Sequence, residues 1–155
     1  MRHDSRLSRM LHVLIHMDRH EGAATSETIA AMLNTNPVVV RRTMAGLRDK
    51  GYVRSEKGHG GGWTLGRPLS EMTLLDIYEA VGQPAVFAVG PACDQPACLV
   101  EQAVNAALSE AFEEAEKLLL SRFGKVTLAD IARDFDARMA RYPESAARAG
   151  AGWHT

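Results

Sequence analysis

Residues 25–65, TSETIAAMLNTNPVVVRRTMAGLRDKGYVRSEKGHGGGWTL, join two short helical patterns to a glycine-rich segment. The first pattern predicts a helix over Glu27–Leu33, capped by Ser26, with its apolar residues packing inward. Asn34 and Thr35 follow as a tight turn that leads directly into the second pattern. Two helices joined this closely are typical of a helix-turn-helix.

The second pattern begins with a strong signal for a helix start. Asn36 can accept a hydrogen bond from a free amide of the first turn, and Pro37 follows at a position where its missing N–H has no cost. Gly51 supplies the backbone conformation that ends a helix. The predicted helix therefore runs from Pro37 to about Lys50, and its inward face consists of Val40, Met44 and Leu47.

The opposite face of this second helix carries basic residues. A rotation of 100° per residue places four side chains there: Val38, Arg42, Ala45 and Asp49. Arg41 and Arg48 flank them, and we expect Arg42 to point directly into solvent. In this setting the face indicates contact with DNA, while an ordinary solvated helix face is the alternative.

After the second helix the spacing of apolar residues changes from helical to alternating. Short strands are predicted at Tyr52–Arg54 and Trp63–Leu65, with Trp63 as a packing anchor. The link between them is rich in glycine, at Gly58, Gly60, Gly61 and Gly62. Such a link suits the tip of a wing that lies against a nucleic-acid backbone, with Lys57 and His59 as polar contacts. A flexible hairpin tip without a ligand is the alternative.

Taken together, the run NPVVVRRTMAGLRDKGYVRSEKGHGGGWTLGRPLSEMTLLDIYEAVG resembles the Rrf2 family of winged-helix transcriptional regulators, whose members include IscR, NsrR and CymR. The resemblance covers roughly residues 5 to 135. Its most specific parts are the glycine-rich wing followed by an aromatic residue, the Gly-Arg-Pro after the second wing strand, and the TLLDIYEAV helix. The resemblance implies a homodimer on a pseudo-palindromic operator, a long C-terminal helix that crosses its partner, and repression as the common mode.

Length and charge agree with this interpretation. A chain of 155 residues with 46% hydrophobic content can bury one core, and it has no apolar run long enough to span a membrane. Its start lacks the apolar core of a secretory signal peptide, so we expect a cytoplasmic protein without a membrane partner. Residues 1–67 hold 11 Lys and Arg against 6 Asp and Glu, a net +5, whereas residues 68–155 hold 7 against 13, a net −6. The basic half is the half that carries the wing.

The rest of the chain completes a mainly α fold with a small β-hairpin. Further helices are predicted at Ser5–Arg19, Thr73–Val81, Leu99–Ser121 and Thr127 to about Ala140. The apolar stripe of the long helix is too wide for one neighbour and rich in alanine, so we interpret it as a dimerisation helix. The expected organisation is a winged helix-turn-helix DNA-binding domain over residues 1–82, a sensor loop over 83–98, dimerisation helices over 99–140 and a flexible tail over 141–155.

A twofold dimer would place its two reading helices in successive major grooves about 34 Å apart, so the expected partner is double-stranded DNA with an inverted repeat. We expect Arg42 to reach a base edge, with guanine as the candidate, while Arg41, Arg48 and the helix start at Asn36 hold phosphates and the wing probes the minor groove. The predicted DNA-binding residues are Asn36, Pro37, Val38, Arg41, Arg42, Arg48, Lys57, Gly58, His59 and Gly60.

The candidate sensor residues are Cys93 and Cys98, the two cysteines of the chain, in the segment GPACDQPACLVEQ. Iron-sulfur members of the family place three cluster-binding cysteines here, whereas this chain has two. Three interpretations stay open. An iron-sulfur cluster could be completed from the partner's first helix by the partner's His12. The thiols could form a reversible disulfide or react singly. The cysteines could also have no sensing role.

An enzyme is not expected, because the sequence contains no catalytic triad, paired carboxylates or nucleotide fingerprint, and GHGGGW lacks the lysine of a phosphate-binding loop. We predict a homodimeric, sequence-specific transcriptional regulator, in the family's common mode a repressor, with a redox or ligand response through the loop of Cys93 and Cys98. The alternative is an iron-sulfur or thiol redox protein whose main activity is not DNA binding.

Overall fold

The computed structural model describes residues 4–141, and over this range the chain forms six α-helices and one two-stranded antiparallel sheet. The elements are α1 (Arg6–Arg19), α2 (Ser26–Leu33), α3 (Pro37–Asp49), β1 (Val53–Glu56), β2 (Gly62–Leu65), α4 (Leu74–Ala80), α5 (Leu99–Phe123) and α6 (Leu128–Arg141). A single 3-10 turn at Leu69–Glu71 precedes α4. The predicted mainly α fold with a small hairpin is confirmed, and the predicted tail lies, apart from Arg141, outside the described residues.

The helix-turn-helix forms as predicted, with one correction at its start. Thr25, not Ser26, caps α2, since the Thr25 Oγ1 accepts a hydrogen bond from the Thr28 amide at 3.0 Å. Ser26 is instead the first residue of the helix and is buried. Its hydroxyl accepts a hydrogen bond from the Trp63 indole. Asn34 makes the tight turn in the left-handed conformation at φ 49°, and the Asn36 Oδ1 accepts from the Val38 amide at 2.8 Å.

The wing is attached to the segment between α1 and α2 through Trp63. The backbone amide of Ala24 donates to the Trp63 carbonyl at 2.9 Å, and the Trp63 amide donates back to the Ala24 carbonyl at 2.8 Å. The buried indole Nε1 donates to the Ser26 Oγ at 3.0 Å. At Gly62 the two backbones approach so closely that a Cβ would lie 2.6 Å from the Ala24 carbonyl oxygen, so this position excludes any side chain.

The hairpin is longer than predicted. Its strands pair in the register Val53 with Leu65, Arg54 with Thr64, Ser55 with Trp63 and Glu56 with Gly62. The predicted first strand, Tyr52–Arg54, was wrong at both ends, because the strand begins at Val53 and continues to Glu56. Ser55 and Glu56 are polar and show no alternation in the sequence, yet they have partners across the hairpin.

One hydrophobic core joins the helices to the base of the wing. The predicted inward face of α3 is buried as expected, and α1, α2, α4 and α6 contribute apolar side chains to the same cluster. The largest fully buried side chains are Val13, Leu14, Ile29, Val40, Met44, Leu47, Val53, Met72, Ile77 and Leu128. The C-terminal helix α6 is therefore part of the winged-helix core.

Two matching capping boxes join α4 to α6. The amide of Thr73 donates to Asp76 at 2.8 Å while the Asp76 amide donates to the Thr73 hydroxyl at 3.1 Å, and Thr127 and Asp130 make the same exchange at 2.9 and 3.2 Å. These hydrogen bonds hold the pKa of the Asp130 carboxyl below its usual value. Thr73 and Thr127 also face each other in an isolated β-bridge, so both helices start from one shared point.

A polar contact fixes the base of the wing on α4. Burial raises the pKa of Tyr52, and the neighbouring Asp76 carboxylate, which accepts its hydroxyl, raises it further. For Asp76 itself, burial acts to raise the pKa, but hydrogen bonds from Thr73 and Tyr52 outweigh burial and lower it. The Arg67 guanidinium covers the Tyr52 ring at 5.4 Å. The Gly-Arg-Pro after the second strand thus packs against the start of the first.

The long helix α5 extends two residues beyond the predicted end at Ser121, to Phe123, whose ring contacts that of Tyr78 on α4 at 6.0 Å between centroids. None of the side chains of its 25 residues is buried in the described chain. Several large apolar residues are exposed along it, namely Leu99, Val100, Val104, Leu108 and Leu118. This helix therefore presents apolar surface that its own subunit does not cover.

Replacing Ser26 with alanine removes the acceptor of the buried Trp63 Nε1–H. The substitution is expected to lower the free energy of unfolding by about 1 to 3 kcal/mol, because the indole donor is left unsatisfied in the core. Urea unfolding followed by circular dichroism measures this loss. Ser55→Ala, at an exposed position of β1, is the matched control and should change stability by less than about 0.5 kcal/mol. Equal losses in both variants would contradict the role given to this hydrogen bond.

Candidate nucleic-acid interface

The outward face of α3 carries an exposed cation, Arg42. Arg42 is exposed, and over residues 4–141 its guanidinium has neither a hydrogen-bond nor an ion-pair partner. Val38 lies one helical turn before it and is also exposed, whereas Ala45 one turn later is half-buried. Asp49 ends the stripe at the other end of the helix. The predicted orientation of Arg42 into solvent is what the structure has.

The two flanking arginines are engaged within the subunit. The Arg41 guanidinium lies 3.1 Å from the Glu27 carboxylate on α2, and the Arg48 guanidinium lies 3.0 Å from Asp49. Both pairs are exposed, and exposed ion pairs of this kind contribute about 0 to 1 kcal/mol. A phosphate could therefore replace either carboxylate at little cost, but Arg41 and Arg48 are not free cations as Arg42 is.

The start of α3 has some of its polar groups already in use. The Asn36 Oδ1 accepts a hydrogen bond from the Val38 amide, and Pro37 has no N–H that could act as a donor. The remaining amides of the first turn carry the positive end of the helix dipole, which favours a nearby anion. Of the predicted contacts, Asn36 can thus act through its side-chain amide group and Pro37 through shape alone.

The predicted wing residues come together at one exposed tip. Lys57, Gly58, His59 and Gly60 are all exposed there. Gly58 at φ +95° and Gly60 at φ +78° lie in the left-handed region, which side chains rarely adopt. The Gly61 amide closes the turn onto the Gly58 carbonyl at 3.0 Å. The tip thus has a defined backbone shape with a lysine and a histidine on it.

Two further residues belong to this surface that the sequence analysis did not select. Arg9 on α1 lines a groove together with Val39 and Thr43 of α3, so α1 places a cation beside α3. Arg54 is exposed on β1, between the core and the tip of the wing. Arg54 could have been found in the sequence, because it alternates with the apolar Val53 that is buried. Arg9 could not, because only the packing of α1 against α3 brings it to this surface.

The loop that carries the cysteines is tied down along its length. The Tyr78 hydroxyl donates to the Pro84 carbonyl at 3.0 Å, and the ring of Phe87 packs against Phe112 of α5 at 5.5 Å. Near the cysteines, side chains of α5 hold the loop backbone: Asn105 donates to the Ala92 carbonyl at 2.6 Å and Gln102 to the Pro96 carbonyl at 2.9 Å. The loop is therefore docked on the first turns of α5.

Both cysteines are free thiols in this docked loop. Cys93 is exposed, and Cys98 is half-buried at the residue that precedes α5. Residues 4–141 contain no group of three or more His, Cys, Asp or Glu side chains that could hold a metal ion. An iron-sulfur cluster held by protein takes four ligands, and residues 4–141 of one subunit do not supply such a set.

The candidate ligand His12 lies on the exposed side of α1, with its ring 4.7 Å from that of His16. Burial lowers the pKa of His16, and the charge of His12 adds to the effect. Neither histidine belongs to a metal-binding group with the cysteines within the described residues of one subunit.

The comparisons with known proteins identify the family. The model of the Rrf2 family, described as iron-dependent transcriptional regulators, matches residues 3–134. The chain belongs to the Rrf2 family. A relative of this Rrf2 protein, YwnA of Bacillus subtilis, is described as an HTH-type transcriptional regulator and is 34% identical over 131 residues, which are 83% of this chain and 95% of YwnA.

Solved structures share the fold. A transcriptional regulator from Lactobacillus plantarum matches with a TM-score of 0.71 at 23% identity, over 93% of this chain and 98% of that one. CymR of Bacillus subtilis, titled the global cysteine regulator, matches with a TM-score of 0.61 at 21% identity, over 86% of this chain and 97% of its own. These likenesses confirm the winged-helix fold with its long C-terminal helix.

Membership of the Rrf2 family decides the class of function. The chain is a DNA-binding transcriptional regulator, and proteins of this class are not enzymes. The alternative of a redox protein whose main activity is not DNA binding finds no support. No helix of residues 4–141 is both long and apolar enough to cross a membrane.

Proposed function

We propose that this Rrf2 protein acts in the cytoplasm as a homodimeric repressor that binds an inverted-repeat operator. The observation that carries the proposal is Arg42, an outward-facing cation on α3 that has no partner among residues 4–141. The wing belongs to the same basic half of the chain, in which residues 1–67 have a net charge of +5. A positive surface with one helix and one wing is complementary to a major groove and the phosphates beside it.

The dimer in this proposal forms through α5. Half-buried residues such as Asn105, Phe112 and Glu116 mark the side of α5 that faces its own subunit. The exposed apolar residues Val100, Val104, Leu108 and Leu118 follow helical spacing on a different side. Alanines between them permit a second helix to approach closely. An uncovered apolar stripe of this length favours a second copy of α5 as its partner.

Within each half of the operator, the free Arg42 donates to a base edge, with guanine as the preferred base, because its guanidinium can form two hydrogen bonds to it. In this proposal Arg41, Arg48 and Asn36 contact phosphates. Lys57 and His59 extend the contact through the wing. In this arrangement Arg42 supplies sequence preference and the flanking residues supply affinity.

The signal in this proposal is oxidation of the cysteine loop. A peroxide accepts two electrons from the thiols of Cys93 and Cys98, which lose their two protons; a disulfide forms as the O–O bond breaks to give water and an alcohol or a second water. A disulfide between Cys93 and Cys98 would form within the loop segment whose backbone is held by Asn105 and Gln102 of α5. The redox state would thus reach the dimer helix.

Arg42→Ala is expected to relax sequence preference. For each half-site the ratio of operator to random-duplex affinity should fall by about 5- to 150-fold, the equivalent of about 1 to 3 kcal/mol at one base pair, and for the dimer it should fall by about the square of that factor. Gel-shift titrations on an operator selected from a random pool measure the ratio. Lys57→Ala is the control, and it should weaken both duplexes alike. If Arg42→Ala also weakened both alike, Arg42 would be a phosphate contact.

Leu118→Glu is expected to dissociate the dimer, because Leu118 is 74% exposed in one subunit and lies on the apolar stripe. Loss of about 2 kcal/mol per buried leucine side chain should raise the dimer dissociation constant more than about tenfold. Sedimentation velocity measures the association state. Lys117→Glu places the same side chain at an exposed position of α5 off the stripe, with a charge change of two units instead of one, and should leave the dimer intact. A dimer unaffected by Leu118→Glu would rule out this stripe as its interface.

The cysteine proposal is tested with a double variant, Cys93→Ser and Cys98→Ser. Wild-type operator affinity is expected to change at least about threefold on peroxide treatment and to return with a reducing thiol, while the double variant should not respond. An anaerobic preparation examined by visible absorption and iron assay separates the thiol reaction from a cluster. Identical affinity of oxidised and reduced wild-type protein would remove the proposed signal.

A further inference from the structure

Two exposed valines stand out in the DNA-binding half of the protein. In the described chain up to Gly82, the exposed large hydrophobic residues are Val38, at 57% of its surface, and Val39, at 53%. The remaining exposed large hydrophobic residues belong to the cysteine loop and to α5: Phe87, Val89, Leu99, Val100, Val104, Leu108 and Leu118. The proposed dimer accounts for most of that second group, but not for the two valines on the first turn of α3.

The two valines face different surroundings. Val38 shares the outward stripe of Arg42, four residues and one helical turn away, a rise of about 6 Å along the axis. Val39 is rotated 100° from it and lines the groove between α1 and α3 beside Arg9 and Thr43. Val38 is therefore the apolar neighbour of the free guanidinium, whereas Val39 borders a groove of its own subunit.

The surroundings of Val38 indicate which kind of partner its side chain can contact. It lies beside an unpaired cation in the half of the chain with a net charge of +5, which favours an anionic partner. In the major groove of DNA, the apolar group at the base edges is the C5-methyl of thymine. Because successive base pairs are about 3.4 Å apart, a rise of one helical turn corresponds to about two base pairs.

We propose that Val38 is a specificity-determining residue that contacts the C5-methyl of a thymine within about two base pairs of the base bound by Arg42. This inference rests on the proposed function of α3 as the reading helix. It assigns the half-site a thymine at a defined distance from the Arg42 contact, and it assigns Val39 no part in reading that base.

The test uses the full chain and deoxyuridine, which pairs like thymidine but lacks the methyl group. An operator is first selected from a random duplex pool with the wild-type protein. Each thymine of the selected half-site is then replaced singly by deoxyuridine. At one position the wild-type affinity is expected to fall about fourfold for one half-site and about fifteenfold when both half-sites are changed, as the loss of one methyl contact each predicts.

Two valine variants form a matched pair for this experiment. Val38→Ala is expected to bind the thymine and uracil operators equally, close to the wild-type affinity for the uracil operator. Val39→Ala, at an adjacent position of similar exposure, should keep the full difference. The inference is overturned if wild-type binding is indifferent to uracil at every position, if the half-site has no thymine within two base pairs of the Arg42 contact, or if Val38→Ala stays sensitive.

Failure of the inference differs visibly from failure of the proposed function. If the random pool yields no enriched sequence, both fail together. If an inverted repeat is enriched but no thymine methyl matters, the operator-binding function stands, and the exposed Val38 then serves some other contact.

Discussion

The arrangement of the DNA-facing surface depends on Trp63. Its backbone makes two hydrogen bonds with Ala24, and its indole donates to Ser26, so one residue of the wing is held by both the backbone and the first helical residue of the helix-turn-helix. Gly62 permits this approach because no Cβ lies between the backbones. A two-stranded hairpin is marginal by itself, and this attachment gives it a fixed position beside α3.

A second set of backbone contacts joins the winged-helix unit to α5 and α6. The cap of α4 at Thr73 faces the cap of α6 at Thr127, the Leu74 amide donates to the Val126 carbonyl at 3.0 Å, and the Leu128 amide donates to the Met72 carbonyl at 2.8 Å. The C-terminal end of α5 thus leads directly into the core of the winged-helix unit. Its N-terminal end carries the docked cysteine loop.

The sequence predicted local structure well because local signals are strong here. Asn36 with Pro37, the glycine-rich tip and the helix limits of α3 follow from capping and backbone preference. The error at Ser26 arose because serine is a good cap and also a good buried partner for an indole, and only the packing of the wing separates the two roles. Arg9 was missed for the same reason, since its place beside Val39 depends on tertiary contacts.

The shared starting point of α4 and α6 has a mechanical consequence. The helix α5 joins the docked cysteine loop at Cys98 to the short turn at residues 124–126 that leads into Thr127, so a single rigid element connects the loop with the core. In the proposed homodimer, the twofold axis would impose the same displacement on both copies of α5. In that dimer the spacing between the two winged-helix domains would change by twice the displacement of either domain along the line that joins them.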